Sequence, residues 1–101
     1  MIVVKVTYTV NDGYVNANKE LIQAFLTDFK KLDQTQFLYS IFQSEDDKTF
    51  VHTSQYKNKD IQQTLLNTSS FLHFQEQRDK NLEFKPTIEF LNYVGASKEV
   101  F

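Results

Sequence analysis

Two hydrophobic periods alternate along this chain, and their order restricts its fold more than any other property. Residues 2 to 10, IVVKVTYTV, have period two: Ile2, Val4, Val6 and Tyr8 face one way, Val3, Lys5, Thr7 and Thr9 the other. NDG (11 to 13) ends this strand with turn chemistry. From about Asn16 to Leu32 the spacing changes: Leu21, Ile22, Phe25, Leu26, Phe29 and Leu32 recur every three or four residues, which predicts a helix. Lys30 and Lys31 fall in its last turn, where cations complement the helix dipole. Period two returns in QFLYSIFQ (36 to 43) and TFVHTSQY (49 to 56), a predicted hairpin joined by the polar SEDDK (44 to 48). Asn58 is placed to cap a short helix carrying Ile61, Leu65 and Leu66, which NTSS (67 to 70) interrupts. A second helical piece, FLHFQEQRDKNL, carries Phe71, Phe74 and Leu82. KPTIEFLNYVGAS (85 to 97) predicts a last strand, with Pro86 at its start.

The order β-α-β-β-α-β is the ferredoxin-like split unit of the α+β class: a four-stranded antiparallel sheet with the helices on one face. The length, 101 residues, suits a single domain over 1–101. Ten Phe and five Tyr are more rings than one side of one small sheet hides. Phe37, Tyr39 and Ile41 oppose Leu38 and Phe42, so both faces of the sheet are expected to be apolar. A two-fold homodimer with the open faces packed together would cover the second face.

Other classes are disfavoured. A net charge of −2 and a pI near 5.6 give no positive field for nucleic acid or anionic membranes. No cysteine is present for disulfides, thiol catalysis or iron–sulfur clusters, and two glycines make no phosphate loop. The apolar N-terminus lacks a basic leader, and no run reaches the roughly 18 to 20 apolar residues of a membrane span, so a cytoplasmic protein is expected.

The element order, the length, and the segments DDKTFVHTSQYKNKD, FLHFQEQ and LNYVGAS together resemble the antibiotic biosynthesis monooxygenase-like family. The resemblance implies a homodimeric α+β barrel in which two sheets close on each other, with a cavity on the inner face of each subunit. It also implies chemistry ranging from cofactor-independent oxidation of polyketide quinols to haem degradation. Haem-degrading members carry an Asn on the first strand, a Trp after the third strand and a His on the last helix. This chain has Thr7 and Tyr8 in that first-strand region, no Trp, and His73 about half a turn early. No cofactor is therefore expected.

His52 lies on the same side of its strand as Phe50, Ser54 and Tyr56. One reading makes it a base that takes a proton from an acidic phenol or quinol, after which the anion reacts with oxygen. The other makes it a packed ring, hydrogen-bonded across the sheet. Tyr8, Tyr39 and Asn92 are candidate hydrogen-bond donors to a ligand, and Phe50 a candidate wall. His52 and His73 are only two imidazoles, so no metal site is expected. Arg78, the only arginine, is expected at the surface, and Glu76 with Lys80 as an i, i+4 pair. Two functions stand: oxidation of a small aromatic or quinol compound, or a non-catalytic ligand-binding or stress-response dimer. An enzyme needs a cavity of roughly 300 Å³ or more; the other protein would fill that space with Phe37, Phe50 and Phe90.

Overall fold

The computed structural model describes residues 1–101. Strand β1 (Ile2–Thr9) leads through a short 3-10 turn (Asp12–Tyr14) into helix α1 (Val15–Phe29). Strands β2 (Phe37–Gln43) and β3 (Thr49–Tyr56) follow as a hairpin, then helices α2 (Lys59–Leu66) and α3 (Ser69–Asp79), then strand β4 (Thr87–Leu91). All neighbouring strands are antiparallel, in the order β2-β3-β1-β4. This is the ferredoxin-like arrangement, with each β-α-β crossover spanning one intervening strand. No helix is long and apolar enough to cross a membrane.

Local chemistry sets the boundaries. The Asn58 side chain accepts from the Ile61 backbone N–H at 3.1 Å, capping α2. The Gln34 amide donates to the Phe29 and Leu32 carbonyls at 2.8 and 3.1 Å, closing the end of α1. That end comes earlier than the hydrophobic period suggests, so Lys30 and Lys31 lie beyond the helix. At the hairpin tip Asp47 adopts φ 65°, a left-handed conformation Asp tolerates. Asp46 Oδ1 accepts from the backbone N–H groups of Lys48 and Thr49, and its Oδ2 from the Thr49 hydroxyl.

The register places Ile2, Val4, Val6 and Tyr8 opposite Tyr56, Ser54, His52 and Phe50. Phe37, Tyr39 and Ile41 share that face. The helices cover it, and the core is largely aromatic. Phe25 of α1 is fully buried, with the rings of Phe29, Tyr39, Phe71 and Phe74 at centroid distances of 4.9 to 5.7 Å. Several of these pairs are edge-to-face, the arrangement the ring quadrupole favours.

Three expectations are corrected. The last strand runs only over Thr87–Leu91, and Val94 beyond it is 98% exposed. The opposite face of the sheet is mixed rather than strongly apolar. Leu38, Phe42 and Leu91 are exposed there, but Lys5, Thr7, Ser40, Thr53, Gln55 and Glu89 lie among them, and Lys5 pairs with Glu89 at 3.7 Å. Third, Phe90, which the non-catalytic reading packs into the interior, pairs with Val4 on the helix face, as Ile88 does with Val6, yet the two are 76% and 59% exposed. The helices leave β4 uncovered.

Candidate functional site

His52 sits in the middle of β3, between sheet and helices, and is 2% exposed. Both ring nitrogens are engaged. Nε2 lies 2.8 Å from the Tyr8 hydroxyl, and Nδ1 lies 2.7 Å from the Tyr39 hydroxyl. Tyr8 in turn accepts from Asn18 Nδ2 at 3.0 Å. Three strands and α1 thus contribute one residue each to a buried chain, Asn18–Tyr8–His52–Tyr39. The ring of His52 stacks on Phe74 at 5.5 Å.

Donor counting gives this chain a direction. The Tyr8 oxygen already accepts from Asn18. If His52 also donated to it, the buried Tyr8 proton would have no acceptor. Tyr8 therefore donates to Nε2, Nδ1–H donates to Tyr39, and the Tyr39 proton is left for a further acceptor. Asn18 Oδ1 has no partner, but turning the amide over would strand two N–H donors instead, the costlier arrangement.

Burial governs the ionisation of the group. It is the main reason the His52 pKa falls from 6.5 to about 3, and the nearby Arg78 charge lowers it further. His52 is therefore neutral at pH 7, and its protonated form is strongly disfavoured. Burial also raises the Tyr8 and Tyr39 pKa values well above the ordinary phenol range, so both remain protonated donors.

A cavity of about 210 Å³ opens beside this chain, between β1, β3 and β4 on one side and α2 and α3 on the other. Tyr39, His52, Ser54, Tyr56, Gln62, Gln75 and Arg78 supply its polar groups, and Val4, Val6, Leu66, Phe71, Ile88 and Phe90 its apolar wall. A second cavity of about 280 Å³ lies between α1 and β2, with Tyr39 in the wall of both.

Of the residues singled out in the sequence, His52 and Tyr39 line the first cavity. Tyr8 is one step behind His52, stacked on Phe50 at 5.6 Å. Phe50 lines the second cavity instead. Asn92 is exposed past the end of β4 and lines neither, because β4 stops at Leu91 before reaching it. His73 is exposed on α3, and no cluster of three His, Cys, Asp or Glu residues is placed to hold a metal. Phe37 and Phe50 are buried in the core, but Phe90 is not.

Arg78 is a correction. It is 9% exposed rather than on the surface, with its guanidinium 5.3 Å from the ring centroids of both Tyr8 and Phe74. Asn18, fully buried, was not singled out at all. Both had a signal in the sequence. Arg78 falls four residues after Phe74 and seven after Phe71, and Asn18 four before Ile22, so each is a polar residue on a buried helical stripe. The Glu76–Lys80 pair forms as its spacing implies, at 3.4 Å.

Comparison with solved structures bears on the whole architecture. A protein described as an antibiotic biosynthesis monooxygenase superposes with a TM-score of 0.79 at 12% identity, over 94% of this chain and 100% of its own. The chain shares the ferredoxin-like α+β fold of that protein. Rv0793 from Mycobacterium tuberculosis shares this fold with a TM-score of 0.79 at 14% identity, over 96% of this chain and 98% of its own. PA3566 from Pseudomonas aeruginosa does so with a TM-score of 0.75 at 20% identity, over 93% and 94%. No protein-family model matches the sequence, and no curated protein matches it. The His52 cavity lies on the helix side of the sheet, not on its open face.

Proposed function

We propose that this chain forms a homodimer and that the His52 cavity of each subunit binds a small aromatic or quinol compound and promotes its oxidation by oxygen. The observation that carries this reading is the directed chain ending at Tyr39. It leaves one hydroxyl proton free at the wall of a largely apolar cavity, suited to a ring that bears an oxygen. An apolar cavity of about 150 Å³ admits benzene, so about 210 Å³ suits one ring rather than a fused polycycle.

The chemistry needs no bound metal. A phenol loses its proton, the phenolate passes electrons to oxygen, and a ring carbon forms a bond to one oxygen atom. That carbon loses its hydrogen, the O–O bond breaks, and phenol plus O₂ becomes quinone plus water, with the ring as its own reductant. His52, held neutral, is a poor store for the substrate proton, so its role is to aim the Tyr39 hydroxyl at the ring oxygen. The proton goes to solvent, which restricts substrates to readily ionised phenols and quinols.

A non-catalytic binding role is the second reading. It is favoured by the same lowered basicity and by a volume under the roughly 300 Å³ of ordinary ligand sites. Oxygen consumption with single-ring quinols separates the two. The enzyme reading expects uptake above the uncatalysed rate, lost in Tyr39→Phe and His52→Ala proteins that still fold. Ligand binding with no uptake above background would leave only the second reading.

A further inference from the structure

We infer that Arg78 makes the His52 cavity selective for a ring compound carrying a carboxylate, with the carboxylate oxygens at the guanidinium. This rests on the proposal that the cavity takes a single-ring ligand. It adds the charge that ligand must carry.

Arg78 is the only charged side chain lining the cavity. Its protein counter-ion is weak. Nε and Nη2 both donate to a single oxygen, Oδ1 of the adjacent Asp79, at 3.1 and 3.0 Å. The Asp79 side chain is 57% exposed, so water screens it, whereas the Arg78 side chain is 11% exposed. Nη1 donates to no protein acceptor. A mostly buried cation with one screened partner and donors to spare gains from a second anion. The guanidinium also lies against the adjoining Tyr8 and Phe74 rings, 5.3 Å from each centroid, so part of its side-chain freedom is already lost before an anion docks. Its fork geometry suits a carboxylate, with Tyr39 positioned on β2 to donate to an oxygen elsewhere on the same ring.

The test compares 4-hydroxybenzoate with its neutral analogue 4-hydroxybenzamide by titration calorimetry and by chemical-shift mapping on the full-length protein. The wild type is expected to bind the carboxylate at least about tenfold tighter than the amide, the gain of a charge-assisted over a neutral hydrogen bond. Arg78→Gln is expected to abolish that preference while still binding the amide, which also reports that the variant folds. Equal binding of the two compounds by the wild type would overturn the charge selectivity while leaving the ring site standing. A preference that survives Arg78→Gln would also overturn it, and Lys19→Gln, in the wall of the second cavity, would then show whether the anion sits there. Binding of neither compound would overturn the ring site and the selectivity together. The wild-type comparison decides the matter even if Arg78→Gln fails to fold.

Discussion

The Tyr39 hydroxyl lies 2.7 Å from Nδ1 of His52, on the neighbouring strand, and this contact links the buried polar chain to the cavity. Tyr39→Phe removes it and leaves a buried ring nitrogen without a partner. The expected cost is about 1 to 3 kcal/mol, read as a lower urea midpoint at unchanged slope. An unchanged midpoint would mean that the hydrogen bond contributes nothing net.

The buried imidazole couples stability to pH. The unfolded chain takes up a proton at His52 near pH 6.5, while the folded protein resists until about pH 3. Below 6.5 the unfolded state therefore binds more protons, so this contribution is complete above 6.5 and is lost as pH falls toward 3. The slope approaches about 1.4 kcal/mol per pH unit. Melting curves at pH 7.5 and pH 5 should show the loss, and His52→Gln should flatten it. The pH 7.5 to 5 comparison stays above the titration of Asp33 and Asp46, whose carboxyls are held below 3.8 by hydrogen bonds from Thr35 and Thr49.

The aromatic core has a centre at Phe25. It is fully buried and packs on rings from α3 and β2 as well as its own helix. Phe25→Ala is expected to cost about 3 to 5 kcal/mol, measured by chemical denaturation. A loss below about 1 kcal/mol would show that neighbouring rings collapse into the space.

Phe42 is 58% exposed on the open sheet face, on the same strand face as the similarly exposed Leu38. If that face forms the dimer, native mass spectrometry should give twice 11.9 kDa for the wild type and mostly 11.9 kDa for Phe42→Glu. A charge buried in such a contact is costly to desolvate. A monomeric wild type would contradict the dimer, and a Phe42→Glu protein that stays dimeric would move the interface to another surface.

Element order and strand faces were legible because they are local: period two in 2–9, 37–43 and 49–56, and a three-to-four spacing through α1. The end of the last strand was not. Ile88 and Phe90 fall on the helix face by their register with Val6 and Val4, but the helices stop short of β4, and nothing local encodes that. The site was half legible. His52 and Tyr39 stood out as polar groups on apolar strands. Residue type alone points Arg78 to the surface, whereas its spacing after Phe71 and Phe74 on α3 points it inside. Asn92, a candidate donor by residue type, lies past the end of β4 at Leu91 and lines neither cavity.

The most direct test is long-range proton–nitrogen NMR of histidine-labelled protein at pH 7, without and with 4-hydroxybenzoate. The expected His52 signals are those of a neutral ring protonated at Nδ1, and they should move as the ligand fills the adjoining cavity. A charged imidazolium, the opposite tautomer, or His52 signals that ignore saturating ligand would contradict a neutral His52–Tyr39 pair at the wall of a ring-binding site.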